Sequence, residues 1–191
     1  MTTRDPRYDI LFEPIKIGPV TAKNRFYQVP HCTGMGWLRP RMVADMRATK
    51  AEGGWGVVCT EYCSIHPSTD DMPTPSHSLW DSGDVKAHRL MTDKCHEHGA
   101  LAGVELWVGG SRVSNLYTRE PPLDVASMPN WNGDPYQSRA MDKYDIQQLR
   151  RRHRDAALRA RDAGFDIIYV YATHRYLIDN FLNPQINNRT D

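Results

Sequence analysis

No stretch of this chain approaches the ~20 consecutive apolar residues that span a bilayer. Its first residues, MTTRDPRYDI, lack the apolar core of a secretory signal. The expectation is a cytoplasmic protein without membrane contact. Charge of one sign does not accumulate either: 24 Lys and Arg stand against 23 Asp and Glu, mixed along the whole length, for a formal net charge of +1. That balance argues against a nucleic-acid footprint and leaves small molecules as the expected partners. Cysteine is scarce, and Cys32, Cys59, Cys63 and Cys95 are expected to stay reduced in such a compartment. Also missing is a Gly-x-Gly-x-x-Gly turn: HCTGMGWLRP follows the first predicted strand, which argues against a flavodoxin-like open sheet.

What the chain does contain is an alternation of strand-like and helix-like segments. ILFEPIKIGPVTAKNRF alternates apolar and polar residues around Gly18-Pro19 and predicts a small hairpin. Phe26 to Pro30 predicts a first strand, and VADMRATKAEGG a helix ended by Gly53-Gly54. WGVVCTEYCSI reads as a buried strand. DVKAHRLMTDKCHEHG reads as a helix capped by Ser82 or Asp84, apolar at Val85, Leu90 and Met91, and stopped at Gly99. ALAGVELW is a third strand. The Pro-, Asn- and Gly-rich stretch from Gly109 to Arg139 has few periodic features and is longer than a connector needs, and such loops carry function. From Asp142, the spacing Ile146, Leu149, His153, Ala156, Ala160 marks one face of a long helix ending at Gly164, and FDIIYVYA follows as a fourth strand. Four strand-loop-helix repeats imply an α/β fold with a parallel sheet. A TIM (β/α)₈ barrel has eight such units in ~250 residues. The predicted fold is therefore the N-terminal half of a TIM barrel preceded by a short β-hairpin, with residues 1–191 forming one truncated domain.

Barrel chemistry sits at the C-terminal ends of the strands. Those ends carry His31, Cys32 and Thr33; Glu61, Tyr62 and Cys63; Glu105 and Trp107; and Tyr171, His174 and Tyr176. A core-only explanation would expect Val, Ile and Ala there, so these positions are the candidate site. Cys59 and Cys63, four apart on a predicted strand, are expected to share a face, and with His66 they imitate a metal spacing. Zinc sites prefer closer Cys pairs and a fourth ligand, so no metal is expected. CHEH at 95–98 falls at a helix C-terminus, where imidazoles interact well with the dipole, and is expected at the surface. Plain interior packing remains an alternative for Cys32 and for the Tyr and Trp residues.

The strings LFEPIKIG, KNRFYQVPHC, KAEGGWGVVCTEYCSIHP, ALAGVELW, DAGFDIIYVYATHRYL and FLNPQINNRTD resemble the old yellow enzyme family. More narrowly, they resemble its trimethylamine and dimethylamine dehydrogenase branch, which also includes histamine dehydrogenase and dimethylglycine-demethylating relatives. The resemblance runs through nearly all of the chain except the loop from about Ser111 to Met141. It implies an FMN-binding (β/α)₈ barrel, with a 4Fe-4S site and further domains on its C-terminal side. The phosphate-binding residues and the Asp of a catalytic trio are then expected beyond residue 191.

The same resemblance implies roles. Pro30, His31, Cys32 and Thr33 lie against the flavin, with Cys32 in a covalent thioether. Glu105 accepts from the pyrimidine side of the ring, whose N3 is a donor. Tyr171 and His174 are catalytic. Tyr62 forms one wall of an aromatic bowl for a methylated ammonium, where relatives acting on dimethylamine or histamine carry Gln, and Tyr176 and Arg175 stand on the substrate side. The implied activity is oxidative N-demethylation of a trimethylamine-like amine, with an electron-transfer acceptor and a homo-oligomeric full-length protein. A related NAD(P)H:flavin oxidoreductase or ene-reductase, an N-methyl amino acid demethylase with Arg175 facing a carboxylate, and a non-catalytic fragment remain alternatives.

Overall fold

In the computed structural model, residues 5–70, 76–130 and 136–191 are described. A 3₁₀ helix, Pro6–Phe12, leads into the expected hairpin, in which β1 (Ile15–Ile17) pairs antiparallel with β2 (Val20–Ala22). Gly18 turns it with φ +56°, a conformation that costs glycine little. Next come β3 (Tyr27–Gln28), α1 (Pro40–Glu52), β4 (Val57–Ser64), β5 (His77–Ser78), α2 (Ser82–Glu97) and β6 (Leu101–Trp107). The chain continues through β7 (Leu123–Asp124), β8 (Arg139–Ala140), α3 (Lys143–Asp162), β9 (Ile167–Val170) and α4 (Leu177–Leu182). The main sheet runs β3-β4-β6-β9 with every pair parallel, and β5 adds alongside β4. Successive strands are thus neighbours, joined through helices, as in one half of a barrel.

The sheet has two faces because strand side chains alternate. Its outer face packs Val58, Cys63, Val104 and Leu106 against the helices through Ala44, Met91, Cys95, Leu149, Ala156 and Ala160. Its inner face gathers Val57, Cys59, Leu101, Ile167 and Tyr169, and the hairpin covers the N-terminal end of that face with Ile15, Ile17 and Ala22. The outer residues of β9 are more open: Ile168 and Val170 are exposed.

Several sequence expectations are corrected here. Cys59 and Cys63 do not share a face. Cys59 pairs with Gly103 and Tyr62 with Glu105, so three residues on β4 span two on β6. This β-bulge shifts the alternation by one and turns Cys63 outward, where its Sγ lies 3.8 Å from His88 Nε2. The cap of α2 is Asp81, in a capping box with Asp84 rather than Ser82 or Asp84 alone. Leu90 is exposed, and the buried stripe of α2 is His88, Met91, Thr92 and Cys95. Cys95 is therefore core rather than surface, while His96 stays outside and bonds Asp166 at 2.8 Å. α3 follows its predicted face and starts at Asp142, again with a capping box, to Asp145. The stretch from Gly109 to Arg139 contains structure after all: the 3₁₀ turn Gly110–Arg112, and β7 pairing with β8.

Candidate functional site

The loop leaving β3 is held by two buried ionisable side chains. Arg47, on α1, donates to Gln28 Oε1 at 3.2 Å and to the carbonyl of His31. Burial lowers its pKa and the nearby Glu61 raises it again. Glu61, fully buried at the β4 bulge, accepts from the Thr33 amide and hydroxyl and from the Gly36 amide at 3.1 Å. Gly36 admits no side chain, because a Cβ there would lie 2.2 Å from the Ser76 carbonyl oxygen and 2.3 Å from the His77 ring. Pro30, His31, Cys32 and Thr33 are thereby fixed at the rim of the sheet. Sequence reading saw Glu61 at a strand end without giving it a role and missed Arg47; a basic residue at the core-facing side of a helix was the available signal.

Cys32 is exposed. Partial burial pushes its thiol pKa up, hydrogen bonds to the Ser76 side chain and Tyr62 backbone pull it down, and Glu61 and Glu105 push it up again. The cysteine rests as a thiol, with Glu61, Glu105 and the Arg47 guanidinium all within electrostatic reach.

Glu105 is aligned with Tyr62 on one side and Tyr169 on the other, so all three face the barrel interior. It is 8% exposed, and burial raises its pKa to about 7. Two residues on, Trp107 begins an aromatic cluster. Its ring lies 4.6 Å from that of Tyr62 and 5.4 Å from that of Tyr176, and Tyr176 lies 5.2 Å from Tyr171. The Tyr171 hydroxyl is 2.6 Å from His174 Nδ1. Burial, aided by Glu105, raises the Tyr171 pKa to about 12. Tyr62, Glu105, Tyr171, His174 and Tyr176 thus converge at one end of the sheet with Trp107 among them. Arg175 lines a cleft of about 220 Å³ with Arg112, Met128, Pro129 and Asn180. Among the described residues no group of three or more His, Cys, Asp or Glu could hold a metal. No described helix is long and apolar enough to cross a membrane.

A family model described as NADH:flavin oxidoreductase / NADH oxidase matches residues 10–191. The chain belongs to this family. It is 47% identical to dimethylamine dehydrogenase of Hyphomicrobium sp. (strain x), over 98% of this chain and 26% of that protein. The structure of histamine dehydrogenase from Rhizobium sp. 4-9 superposes with a TM-score of 0.93 at 47% identity, covering 98% of this chain and 29% of the other. The old yellow enzyme homologue from Zymomonas mobilis superposes at 0.82 with 27% identity, covering 95% of this chain and 53% of the other. The chain spans about a quarter of the length of the amine dehydrogenase it matches. Its four β/α units are a partial TIM barrel of the old yellow enzyme type, more similar to the two amine dehydrogenases than to the Zymomonas mobilis homologue.

The site suits FMN, the cofactor of this family. Glu105 is a buried carboxyl facing the interior, and burial alone accounts for its raised pKa. A flavin ring N–H is the kind of donor that such an acceptor needs. The loop from Pro30 to Gly36 brings Cys32 within electrostatic reach of Glu105.

Proposed function

We propose that this chain is the flavin-facing part of an FMN-dependent amine dehydrogenase that oxidatively N-demethylates a trimethylamine-like amine. The observation carrying this reading is the run of contacting rings Tyr62, Trp107, Tyr176 and Tyr171, ending in the 2.6 Å contact between Tyr171 and His174. Aromatic faces hold a methylated ammonium with ~1 to 2 kcal/mol each when desolvated. Tyr at position 62 favours a tertiary amine, whose ammonium carries a single N–H where that of a secondary amine carries two. FMN, when bound, supplies the two-electron acceptor. With FMN bound, Glu105 would accept a hydrogen bond from the ring, Cys32 would supply the sulfur for a thioether, the thiol and ring C–H losing two protons and two electrons that the flavin itself would take up, and Pro30, His31 and Thr33 would form the supporting wall. Tyr171 and His174 hold and pass the proton that governs the charge state of the amine. Overall, one N-methyl carbon and a water give formaldehyde, the secondary amine, two electrons and two protons. A 4Fe-4S centre outside this segment would carry the two electrons on to an external acceptor, in a cytoplasmic homo-oligomer.

The test is anaerobic mixing of the full-length protein with trimethylamine, dimethylamine, dimethylglycine and NADPH in turn. Bleaching of the flavin by trimethylamine with formaldehyde release is expected. Bleaching by NADPH alone would replace this reading with a reductase. A second reading, an N-methyl amino acid as substrate, draws on Arg112 and Arg175 lining one cleft. It requires Arg175→Ala to abolish dimethylglycine turnover and spare trimethylamine.

A further inference from the structure

His174 and Arg175 are consecutive non-glycine residues with φ +57° and +60°. They are the centre of a tight turn closed by the Tyr176 amide donating to the Thr173 carbonyl at 3.2 Å. Positive φ at both central positions marks a mirror-image turn, whose usual residues are Asn and Gly. Bulky side chains there are strained, and strain of this kind persists only where the surroundings impose it.

Two contacts impose it. The Arg175 amide donates to Asp179 Oδ2 at 2.7 Å. The Arg112 Nη1 donates to the His174 carbonyl at 2.6 Å, while the same guanidinium lies 5.5 Å above the Tyr176 ring. The base of Arg112 is itself anchored. Ser111 donates its amide to buried Asp124 at 2.6 Å, and Asn180 of α4 donates to the same carboxylate oxygen at 2.8 Å. Gly110, at φ +63°, lets the chain pass so close that a Cβ would lie 2.6 Å from Asp124. The loop after β6 and the helix after β9 are thus locked together, with the strained turn held between them.

We propose that Arg112 is a positioning residue that keeps the His174–Arg175 turn in its left-handed form and so holds the His174 imidazole on Tyr171. Its charge has a second effect. Tyr171 is faced by Glu105 of β6, Cys32 of the loop after β3 and Tyr176 of its own segment, all of which raise its pKa, and by Arg112, which lowers it. Arg112 offsets part of the upward push from Glu105. The positioning stands on the turn geometry, whereas its effect on rate rests on the amine-oxidising reading.

The experiment uses the full-length flavin-loaded protein and three variants: Arg112→Met, Arg112→Lys and Arg112→Met with Arg175→Gly. Three quantities are read: φ at residues 174 and 175 in crystals, the tyrosinate absorbance midpoint as a difference against Tyr171→Phe, and the flavin reduction rate with trimethylamine. Arg112→Met should let the turn leave positive φ, raise the midpoint and slow reduction roughly tenfold or more, the scale of a small misplacement. Arg175→Gly in that background should recover part of the rate, because glycine adopts positive φ without strain, and leave the midpoint raised. Arg112→Lys should restore the midpoint. An unchanged turn and midpoint in Arg112→Met, or a rate loss that Arg175→Gly fails to recover, would overturn the proposal. If trimethylamine does not reduce the unmodified protein, the functional reading fails, while turn geometry and midpoint still decide the role of Arg112.

Discussion

The Tyr171 hydroxyl and the His174 Nδ1 are 2.6 Å apart, so the two side chains share one proton position. The phenol donates to Nδ1 in one His174 tautomer and accepts from it in the other. Burial raises the Tyr171 pKa to about 12, so the phenol form dominates at neutral pH. Tyr171→Phe and His174→Gln in the full-length enzyme should each slow flavin reduction by amine, and Tyr171→Phe should flatten its alkaline limb, since phenylalanine has no hydroxyl to titrate. Stopped-flow reduction across pH checks this, and unchanged rates at every pH would move the chemistry to other residues.

Cys32 sits exposed at the rim with its thiol pKa raised. Cys32→Ala should leave FMN extractable by acid precipitation, whereas the unaltered full-length protein should keep its flavin in the pellet. Equal release from both would reject the thioether.

The loop around Cys32 depends on buried Glu61, which accepts three hydrogen bonds from Thr33 and Gly36. Glu61→Ala should destabilise the protein by about 3 kcal/mol, because three donors lose a charged acceptor at once. Gly36→Ala should cost about 1 to 3 kcal/mol through overpacking against Ser76 and His77. Denaturant unfolding measures both, and a loss below 0.5 kcal/mol, roughly the scatter of neutral surface changes, would contradict the clamp.

Glu105 predicts a pH effect of definite sign. Its folded pKa, about 7, lies above its ordinary value of 4.5. The stability it contributes is therefore fully present below about pH 4.5 and is lost as pH rises through about 7. In flavin-free full-length protein, Glu105→Gln should melt like the unaltered chain near pH 4.5 and at a higher temperature near pH 8. A gap between the two that stays constant across that range would show that Glu105 is not the titrating group.

The Tyr62 and Trp107 rings meet with centroids 4.6 Å apart, tilted by 34°, so each can offer a face to a bound cation. Tyr62→Gln should weaken trimethylammonium-type substrates roughly tenfold, the worth of a ~1.4 kcal/mol contact, while sparing secondary amines that bond the amide. Comparing kcat/KM for trimethylamine and dimethylamine tests it, with parallel losses on both as the adverse result.

The alternation of strands and helices was legible in the chain itself, because hydrophobic period and glycine stops are local properties. Val57–Ser64, Leu101–Trp107 and Lys143–Asp162 lie where the pattern predicted. So was the gathering of chemistry at strand ends: Tyr62, Glu105, Trp107, Tyr171 and Tyr176 are polar or aromatic where a plain core would be aliphatic. Only tertiary structure decided the faces and the supports. The β4 bulge turns Cys63 away from Cys59 and re-aims Glu61 and Tyr62, yet it is defined by pairing with β6 and leaves no mark in β4 alone. The His174–Arg175 turn carries no Asn or Gly signal, since its conformation is imposed by Arg112 and Asp179 rather than by its own residues. Arg47 and Glu61 look like ordinary charges in sequence, and their role exists because folding removes both from water beside backbone groups that need partners. Periodicity is written in neighbours along the chain, whereas bulges, strained turns and buried charges are fixed by neighbours in space.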